Sequence, residues 1–220
     1  MPVFLHIVYL TCLLGSAVAA FLYRKELKSR QLSPFIPFLF LLFTQEILLF
    51  FFSQKYPTRS TGFFYNIYTP VNTLFFSLFY SAIPFNAPVR TLIRILSAIF
   101  LAATLFTYGC IQSIYIYNNY ISLAGGFLIT LCGLLFLFNY FKLDNHKEEK
   151  KWLPVLWITI GVVTFYPVVN ISFALYKHLL AYQATIFGMK LYRLIPQLMS
   201  IFMYGCFIRA FYLCKKKNSN

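Results

Sequence analysis

Long apolar stretches separated by short polar segments run along the whole chain. Each stretch holds about 20 residues, enough for an α-helix to span the ~30 Å hydrocarbon core of a bilayer. We therefore predict an all-α fold, a bundle of seven transmembrane helices forming one domain over residues 1–220, with a short basic tail at residues 214–220. The predicted spans are Val3–Tyr23, Pro34–Ser53, Gly62–Ile83, Thr91–Ile114, Asn118–Phe141, Trp152–Tyr176 and Lys190–Leu213. The form of residues 176–189 stays open.

The composition agrees with a membrane location. The chain of 220 residues is 60% hydrophobic and only 11% charged, whereas soluble domains carry about 25% charged residues. The net charge of +14 is divided among short clusters between apolar stretches, which is typical of topology signals and not of a nucleic-acid-binding face. Five cysteines without C-x-x-C spacing predict neither a disulfide framework nor a metal site, and we expect no cofactor.

The basic residues are divided unequally between the two ends of the predicted spans. One end holds 14 of the 19 lysines and arginines, and the other end holds five. By the positive-inside rule the N-terminus lies outside and the C-terminus lies in the cytoplasm. The richer end comprises Arg24, Lys25, Lys28, Arg30, Arg90, Arg94, Lys142, Lys147, Lys150, Lys151, Arg209, Lys215, Lys216 and Lys217, and the poorer end comprises Lys55, Arg59, Lys177, Lys190 and Arg193.

Glu46 is the exceptional residue of the second span. It lies near the middle of the stretch Pro34–Ser53, where an acid costs roughly 2.5–3.5 kcal/mol on insertion scales. We expect its side chain to face the protein interior, where burial favours the neutral carboxyl. Three interpretations stay open: a hydrogen bond to a neighbouring helix for packing, a ligand or proton site, and an ion pair with a basic residue.

Polar residues at helical spacing predict where the interior of the bundle is polar. One face of the seventh span carries Lys190, Arg193, Gln197, Ser200 and Tyr204 at steps of three or four, and other spans carry similar faces. With the orientation above, His6, Arg193 and Gln197 lie in the outer part of their spans and Glu46 lies slightly outward of mid-depth, which predicts a polar pocket that opens outward. The candidate ligand-binding residues are His6, Gln45, Glu46, Tyr65, Asn72, Tyr166, Asn170, Arg193 and Gln197. The alternative is that each polar residue bonds locally, without a shared cavity.

Arg193 has two alternative positions. It either pairs with Glu46 or extends to the outer surface beside Lys190. In the second case, the positive charge at the mouth of the pocket would favour an anionic group on the ligand.

Motifs of known membrane enzymes and of rhodopsins are missing from the sequence. No lysine lies in the middle of the seventh span, and His6, His146 and His178 are far apart. No G-x-S-x-G motif or phosphate-binding loop occurs. We therefore predict that the protein is not an enzyme.

Three short motifs carry a resemblance to a known group of proteins: Q-E-I at Gln45–Ile47, Y-N-I-Y-T-P-V-N at Tyr65–Asn72 and W-L-P-V-L-W-I-T-I-G at Trp152–Gly161. In these motifs and in span order the chain resembles small seven-helix bacterial membrane proteins without a settled activity, similar in layout to the seven-helix sensor modules of bacterial signalling proteins. The resemblance implies a multi-pass protein of a bacterial cytoplasmic membrane. Such proteins often carry an acid where this chain has Asn72.

A second resemblance concerns two residues. The dipeptide Pro196-Gln197 is similar to that of the PQ-loop and SWEET transporters, which also have seven spans but carry the dipeptide in other helices.

Three functions are compatible with these patterns. The first is a sensor or ligand-binding membrane module, without an output domain of its own, that acts with a membrane or cytoplasmic signalling partner. The second is a transporter of a small solute, proton-coupled through Glu46, with prolines as hinges. The third is a structural subunit of a membrane complex. The expected partners are the lipid bilayer and a small polar or anionic ligand, and not a nucleic acid.

Overall fold

The fold is almost entirely helical. The computed structural model describes residues 2–56, 58–83, 87–142, 146–175, 178–179, 182, 185–186 and 188–215. The helices are α1 (Pro2–Leu22), α2 (Arg24–Ser29), α3 (Phe35–Lys55), α4 (Gly62–Ala82), α5 (Ala87–Phe106, continued by a π-helical turn Thr107–Ile111), α6 (Asn119–Tyr140), α7 (His146–Ala174) and α8 (Leu191–Lys215).

The helices identify a multi-pass integral membrane protein. Within the described ranges, α1, α3, α5, α6, α7 and α8 are long and apolar enough to cross a bilayer. Helix α4 has 21 residues but is less apolar than these, because Asn66, Thr69, Asn72 and Thr73 interrupt it. All seven predicted spans are thus helical, while the count of seven crossings and the orientation of the termini stay predictions.

Helix α2 was not predicted. Its basic residues indicated a loop, but the six residues Arg24–Ser29 form a short helix because Leu27 on one side is buried. The other differences concern helix ends. The seventh predicted span is α8, which begins at Leu191, one residue later than expected. The sixth is α7, which begins at His146, six residues before its predicted start at Trp152.

The chain between α7 and α8 is described only in part. The two-residue strands β1 (Thr185–Ile186) and β2 (Met189–Lys190) pair antiparallel, and Gly188 between them has φ +73°, a conformation that favours glycine. Residues 176–177, 180–181, 183–184 and 187 lie outside the described residues. Of the predicted basic tail, residues 214–215 end α8 and residues 216–220 lie outside the described residues.

The chain divides into two compact units. The first comprises Met1–Leu48 and Lys142–Asn220, and the second comprises Leu49–Phe141. The organisation of residues 1–220 as one domain stays a prediction.

In the first unit, α1 and α8 run parallel. Near their N-terminal ends Nε2 of Gln197 lies 3.5 Å from Nδ1 of His6, and at their C-terminal ends the Lys215 ammonium lies 5.9 Å from the Tyr23 ring. Small residues on α1 allow the close approach, since Ser16, Ala17 and Ala20 are fully buried.

Helix α3 runs antiparallel to α1. Phe40, in the first turns of α3, packs edge-on against Phe21 in the last turn of α1, with 6.5 Å between the ring centroids. Phe35, at the start of α3, contacts Phe207 and Phe211 in the C-terminal half of α8. These fully buried aromatic rings form the core of the first unit at the end where α8 finishes.

Helices α7 and α8 pack antiparallel and very closely. A Cβ atom built on Gly161 of α7 would lie 3.0 Å from Cβ of Cys206 and 3.2 Å from the carbonyl oxygen of Met203, both on α8. The missing side chain therefore lets the two backbones touch, as small residues do between membrane helices.

Basic residues collect at one end of the first unit. Arg30, which follows α2, donates from Nη1 to the carbonyl oxygen of Lys151 at 2.6 Å and to that of Lys150 at 3.5 Å. Pro154 has no N–H to donate to the Lys150 carbonyl, so the guanidinium supplies a donor that the helix lacks. We call this end the basic end and define it by the side chains of Arg24, Lys25, Lys28, Arg30, Lys150 and Lys151.

In the second unit, Asn66 of α4 holds the segment between α5 and α6. Its Nδ2 donates to the carbonyl oxygens of Ile114 and Ile116, both at 2.7 Å, and its Oδ1 accepts from the N–H of Asn118 at 3.1 Å. Asn118 in turn caps α6 by accepting from the N–H of Ile121 at 3.1 Å. The buried Asn66 therefore has a structural role.

Two glycines of the second unit mark close contacts. A Cβ on Gly62 would lie 2.6 Å from the carbonyl oxygen of Tyr115, so the start of α4 touches the same segment that Asn66 holds. A Cβ on Gly125 would collide with Thr73 of α4, which lets α4 and α6 pack closely. Burial raises the pKa of the nearby Tyr117 hydroxyl.

We predict that Gly161→Leu destabilises the protein by about 1–3 kcal/mol or more, because the new side chain overpacks the contact between α7 and α8. The measurement is the free energy of unfolding in detergent micelles. Gly205→Leu is the matched control, since Gly205 on α8 has nothing within 4 Å of its Cβ position. Equal effects of the two substitutions would contradict the close packing of α7 on α8.

We predict that Asn66→Ala costs roughly 2 kcal/mol, because the carbonyl of Ile114 and the buried N–H of Asn118 lose their partner, while the carbonyl of Ile116 keeps Gln112 Nε2 as a donor. Asn139→Ala serves as the control, since the Asn139 amide only donates to the carbonyl of Leu135 in its own helix. Circular dichroism during denaturant titration measures both free energies of unfolding. A loss of stability in Asn66→Ala no larger than in Asn139→Ala would contradict the role of Asn66 in holding the segment between α5 and α6.

Candidate functional site

Glu46 is the centre of a polar cluster inside the first unit. It lies in the middle of α3, half-buried, and its carboxyl is hydrogen-bonded to the side chain of Tyr9 on α1. Tyr9 also hydrogen-bonds to Tyr204 on α8, and the side chains of Glu46 and Tyr166 lie within electrostatic range of the Tyr204 hydroxyl. We call Tyr9, Glu46, Tyr166 and Tyr204 the tyrosine–carboxyl cluster. Its members come from four helices.

The three tyrosines are buried, with 8% of Tyr9, 7% of Tyr166 and 4% of Tyr204 exposed. An aromatic ring supplies apolar surface while its hydroxyl seeks a partner. The carboxyl therefore bonds to the hydroxyl of one buried ring, Tyr9, and lies within electrostatic range of a second hydroxyl, that of Tyr204.

A second polar contact lies next to the cluster, towards the N-terminal ends of α1 and α8. Nε2 of Gln197 lies 3.5 Å from Nδ1 of His6, and the His6 ring lies 5.8 Å from that of Tyr9. The Oε1 atom of Gln197 is buried and has no hydrogen-bond partner among the described residues. Because a buried acceptor without a donor is costly, this amide is available to a further polar group.

The other candidate residues of the first unit lie at its edge. Gln45 is half-buried beside Glu46, and Asn170, also half-buried, lies one helical turn after Tyr166 on the same face of α7. Arg193 is exposed, and its guanidinium lies 5.9 Å from the ring of Tyr192.

An ion pair between Glu46 and Arg193 does not form in the described part of the chain. The electrostatic environment of the Glu46 carboxyl is determined by burial and by the hydrogen bond to Tyr9, with no contribution from a basic side chain. Of the two positions predicted for Arg193, the structure has the exposed one, near Lys190, which is exposed as well. The carboxyl thus relies on hydroxyl groups.

Tyr65 and Asn72 belong to α4, in the second unit. Asn72 is buried, whereas Tyr65 is 39% exposed and packs against Tyr117, with 5.9 Å between the ring centroids. Their place in the predicted pocket stays a prediction.

Tyr9 is the site residue that the sequence analysis missed. In the apolar first span, the hydrophobic pattern alone does not distinguish a tyrosine from the apolar residues around it. One signal could have found it: Tyr9 follows His6 by three residues and therefore shares its helical face. Tyr204 was placed on the polar face of the last span but was not singled out.

The cluster has a defined chemical capacity. A carboxyl bonded to tyrosine hydroxyls can hold a proton, and it can accept hydrogen bonds from a polar ligand. Comparison with protein-family models, with curated proteins and with solved structures finds no match for this chain.

We predict that Tyr9→Phe and Glu46→Leu are energetically coupled, because neither phenylalanine nor leucine can form the hydrogen bond between these side chains. The phenylalanine keeps the ring contacts and removes only the hydroxyl that bonds to Glu46 and Tyr204. Interhelical hydrogen bonds in membrane proteins average about 0.6 kcal/mol and reach about 1.7 kcal/mol in double-mutant cycles. We expect a coupling in this range, measured as free energies of unfolding of the single and double variants.

Tyr120→Phe is the control for this cycle, because Tyr120 is 84% exposed. It should be neutral and additive with Glu46→Leu. Additivity of Tyr9→Phe with Glu46→Leu as well would show that the Tyr9–Glu46 bond contributes nothing.

Proposed function

We propose that the protein is an integral membrane sensor or ligand-binding module whose site is the tyrosine–carboxyl cluster, extended by His6 and Gln197. The observation that carries the proposal is the convergence of Glu46, Tyr9 and Tyr204 from three helices, within apolar spans and with no basic partner for the acid among the residues that the structure describes. The ligand is a small polar molecule.

The cost of the cluster supports a role in function. An apolar side chain at position 46 would pack without an insertion penalty, whereas an acid there costs roughly 2.5–3.5 kcal/mol. Replacing buried polar groups by apolar ones of similar size is often neutral or stabilising. Packing alone therefore does not explain why these polar groups, and not apolar ones of similar size, occupy the interior.

Chain direction in the first unit supports seven crossings, with α4 among them. Helices α1 and α8 run one way and α3 and α7 run the other way, so the chain leaves α3 at one end of this unit and enters α7 at the other. In a bilayer, the intervening chain must then cross an odd number of times. Helix α4 is long enough, at about 1.5 Å per residue, to supply the third crossing beside α5 and α6.

The proposed orientation places the basic end in the cytoplasm of a bacterium and the N-terminus outside. His6, Gln197 and Arg193 lie towards the opposite end of the same helices. The site would accordingly open outward, with Arg193 and Lys190 exposed near its mouth. These two cations would favour a ligand that carries an anionic group.

A second candidate function is proton-coupled transport of a small solute. The hydrogen bonds that join Glu46 to Tyr9 and Tyr9 to Tyr204 favour it, because such a chain can hold and pass a proton. Pro167 follows Tyr166 in α7 and Pro196 precedes Gln197 in α8, and both prolines weaken these helices where bending would open the site.

The test combines binding and flux. The purified protein is screened for thermal stabilisation by amino acids, dicarboxylates and sugar phosphates. A hit should be lost in Glu46→Gln and kept in Thr44→Ala, since Thr44 is exposed on the same helix and its hydroxyl donates to the Phe40 carbonyl of that helix. Uptake of the radiolabelled hit into proteoliposomes, with and without a pH gradient, separates transport from sensing.

Access to the site is tested by labelling. In a variant without its five native cysteines, we expect Gln197→Cys to react with an impermeant maleimide added on the side opposite the basic end. Leu13→Cys, at a fully buried position, should not react. Failure of Gln197→Cys to react from either side would refute an outward-opening site.

A further inference from the structure

The basic end of the first unit brings together cations from three separate stretches of the chain. Arg24, Lys25 and Lys28 are exposed on α2, and Lys150 and Lys151 are exposed at the start of α7. The acidic side chains that the structure describes at this end are Glu26 and Glu149, both half-buried. The net charge of these described side chains is therefore positive. The last described residue of α8, Lys215, adds another exposed cation.

Arg30 fixes the geometry of this end. Its Nη1 bonds to the carbonyls of Lys150 and Lys151, and its charge lies within electrostatic range of Cys214 in the last turn of α8. The guanidinium has five N–H donors, so donors remain after these two bonds. The buried Leu27 anchors α2 beside it. The cations are therefore held by packed structure and not by a free loop.

Apolar surface lies directly beside these charges. Phe21 is 47% exposed and Leu22 is 69% exposed at the end of α1, and the Arg24 guanidinium lies 4.8 Å from the Phe21 ring centroid. Lys151 lies 5.1 Å from the ring of Trp152, and tryptophan favours the headgroup level of membranes. The surface therefore combines cations and exposed apolar groups within one helical turn.

We propose that the basic end is a binding site for the headgroup of an anionic phospholipid. The phosphate would lie between α2 and the start of α7, on Lys25, Lys28, Lys150 and the remaining donors of Arg30. The acyl chains would lie along Phe21 and Leu22. An amphiphilic ligand is the one that satisfies both parts of this surface, since a free phosphate would leave the apolar part without a partner. Juxtamembrane basic clusters attract anionic lipids by this chemistry.

The test is a lipid titration of the full chain in detergent, followed by native mass spectrometry. Phosphatidylglycerol is the probe, and phosphatidylcholine is the zwitterionic comparison. In the triple variant Lys25→Gln, Lys28→Gln, Lys150→Gln we expect roughly tenfold to hundredfold weaker binding of phosphatidylglycerol. Binding of phosphatidylcholine should not change.

The matched control removes the same number of exposed cations elsewhere, as Lys55→Gln, Arg59→Gln, Arg94→Gln. It should bind phosphatidylglycerol as the unmodified protein does. Equal weakening in both triple variants would show an effect of net charge alone and overturn the proposal. Displacement of the lipid by millimolar inorganic phosphate would overturn it too, since the site would then recognise phosphate without the lipid.

Salt dependence of the unmodified protein gives a second measurement, independent of whether the variants fold. Binding of phosphatidylglycerol should weaken as salt rises, because exposed charges are screened. Binding of phosphatidylcholine should stay constant. A salt-independent affinity for phosphatidylglycerol, or an affinity no higher than that for phosphatidylcholine, would contradict the site.

Discussion

The need to satisfy polar groups without water determines how this chain packs. In a bilayer, a buried donor or acceptor must find its partner within the protein, since an unpaired group costs several kcal/mol. The carboxyl of Glu46 bonds to Tyr9, which bonds to Tyr204, and this chain joins α3, α1 and α8. Elsewhere, hydroxyls such as those of Ser97 and Thr159 bond to a carbonyl one turn back in their own helix.

The same requirement explains contacts that involve backbone groups. Pro154 deprives the carbonyl of Lys150 of its helical donor, and Nη1 of Arg30 lies 3.5 Å from that oxygen while it donates to the neighbouring carbonyl of Lys151 at 2.6 Å. Asn66 supplies donors to two carbonyls that lie between α5 and α6. In both cases one polar side chain replaces a missing element of secondary structure and thereby fixes a connection between helices.

The sequence predicted the helices well, because apolar runs of about 20 residues have few alternatives to a membrane span. It also identified Glu46, since one acid in such a run is conspicuous. It could not predict α2, whose stability comes from burying Leu27 against other helices. The partners of Asn66 are backbone carbonyls 48 and 50 residues away, and no local pattern reveals contacts of that range.

The candidate site was predicted only in part for a related reason. A tyrosine in an oily helix gains importance only when an acid from another helix lies beside its hydroxyl, so Tyr9 could not be singled out before Glu46 was placed. Arg193 was open in the sequence because an arginine near a helix end can pair inward or extend outward. The packing of Tyr192 beside it, and the hydroxyls around Glu46, favour the outward position.

Helix α8 extends from the candidate ligand site to the basic end of the first unit. Its two halves differ in how closely they pack against other helices. From Tyr204 onward, Phe207 and Phe211 are buried against Phe35, and Gly161 of α7 touches the backbone at Met203. Before that point, Pro196 removes one helical hydrogen bond, and Ser200 bonds back to the Pro196 carbonyl at 2.8 Å, a pattern that often bends helices. Any motion of α8 is therefore easiest in the half that carries Gln197 and Arg193. That half contains the groups proposed to meet a ligand, while the half that leads to the basic end stays packed.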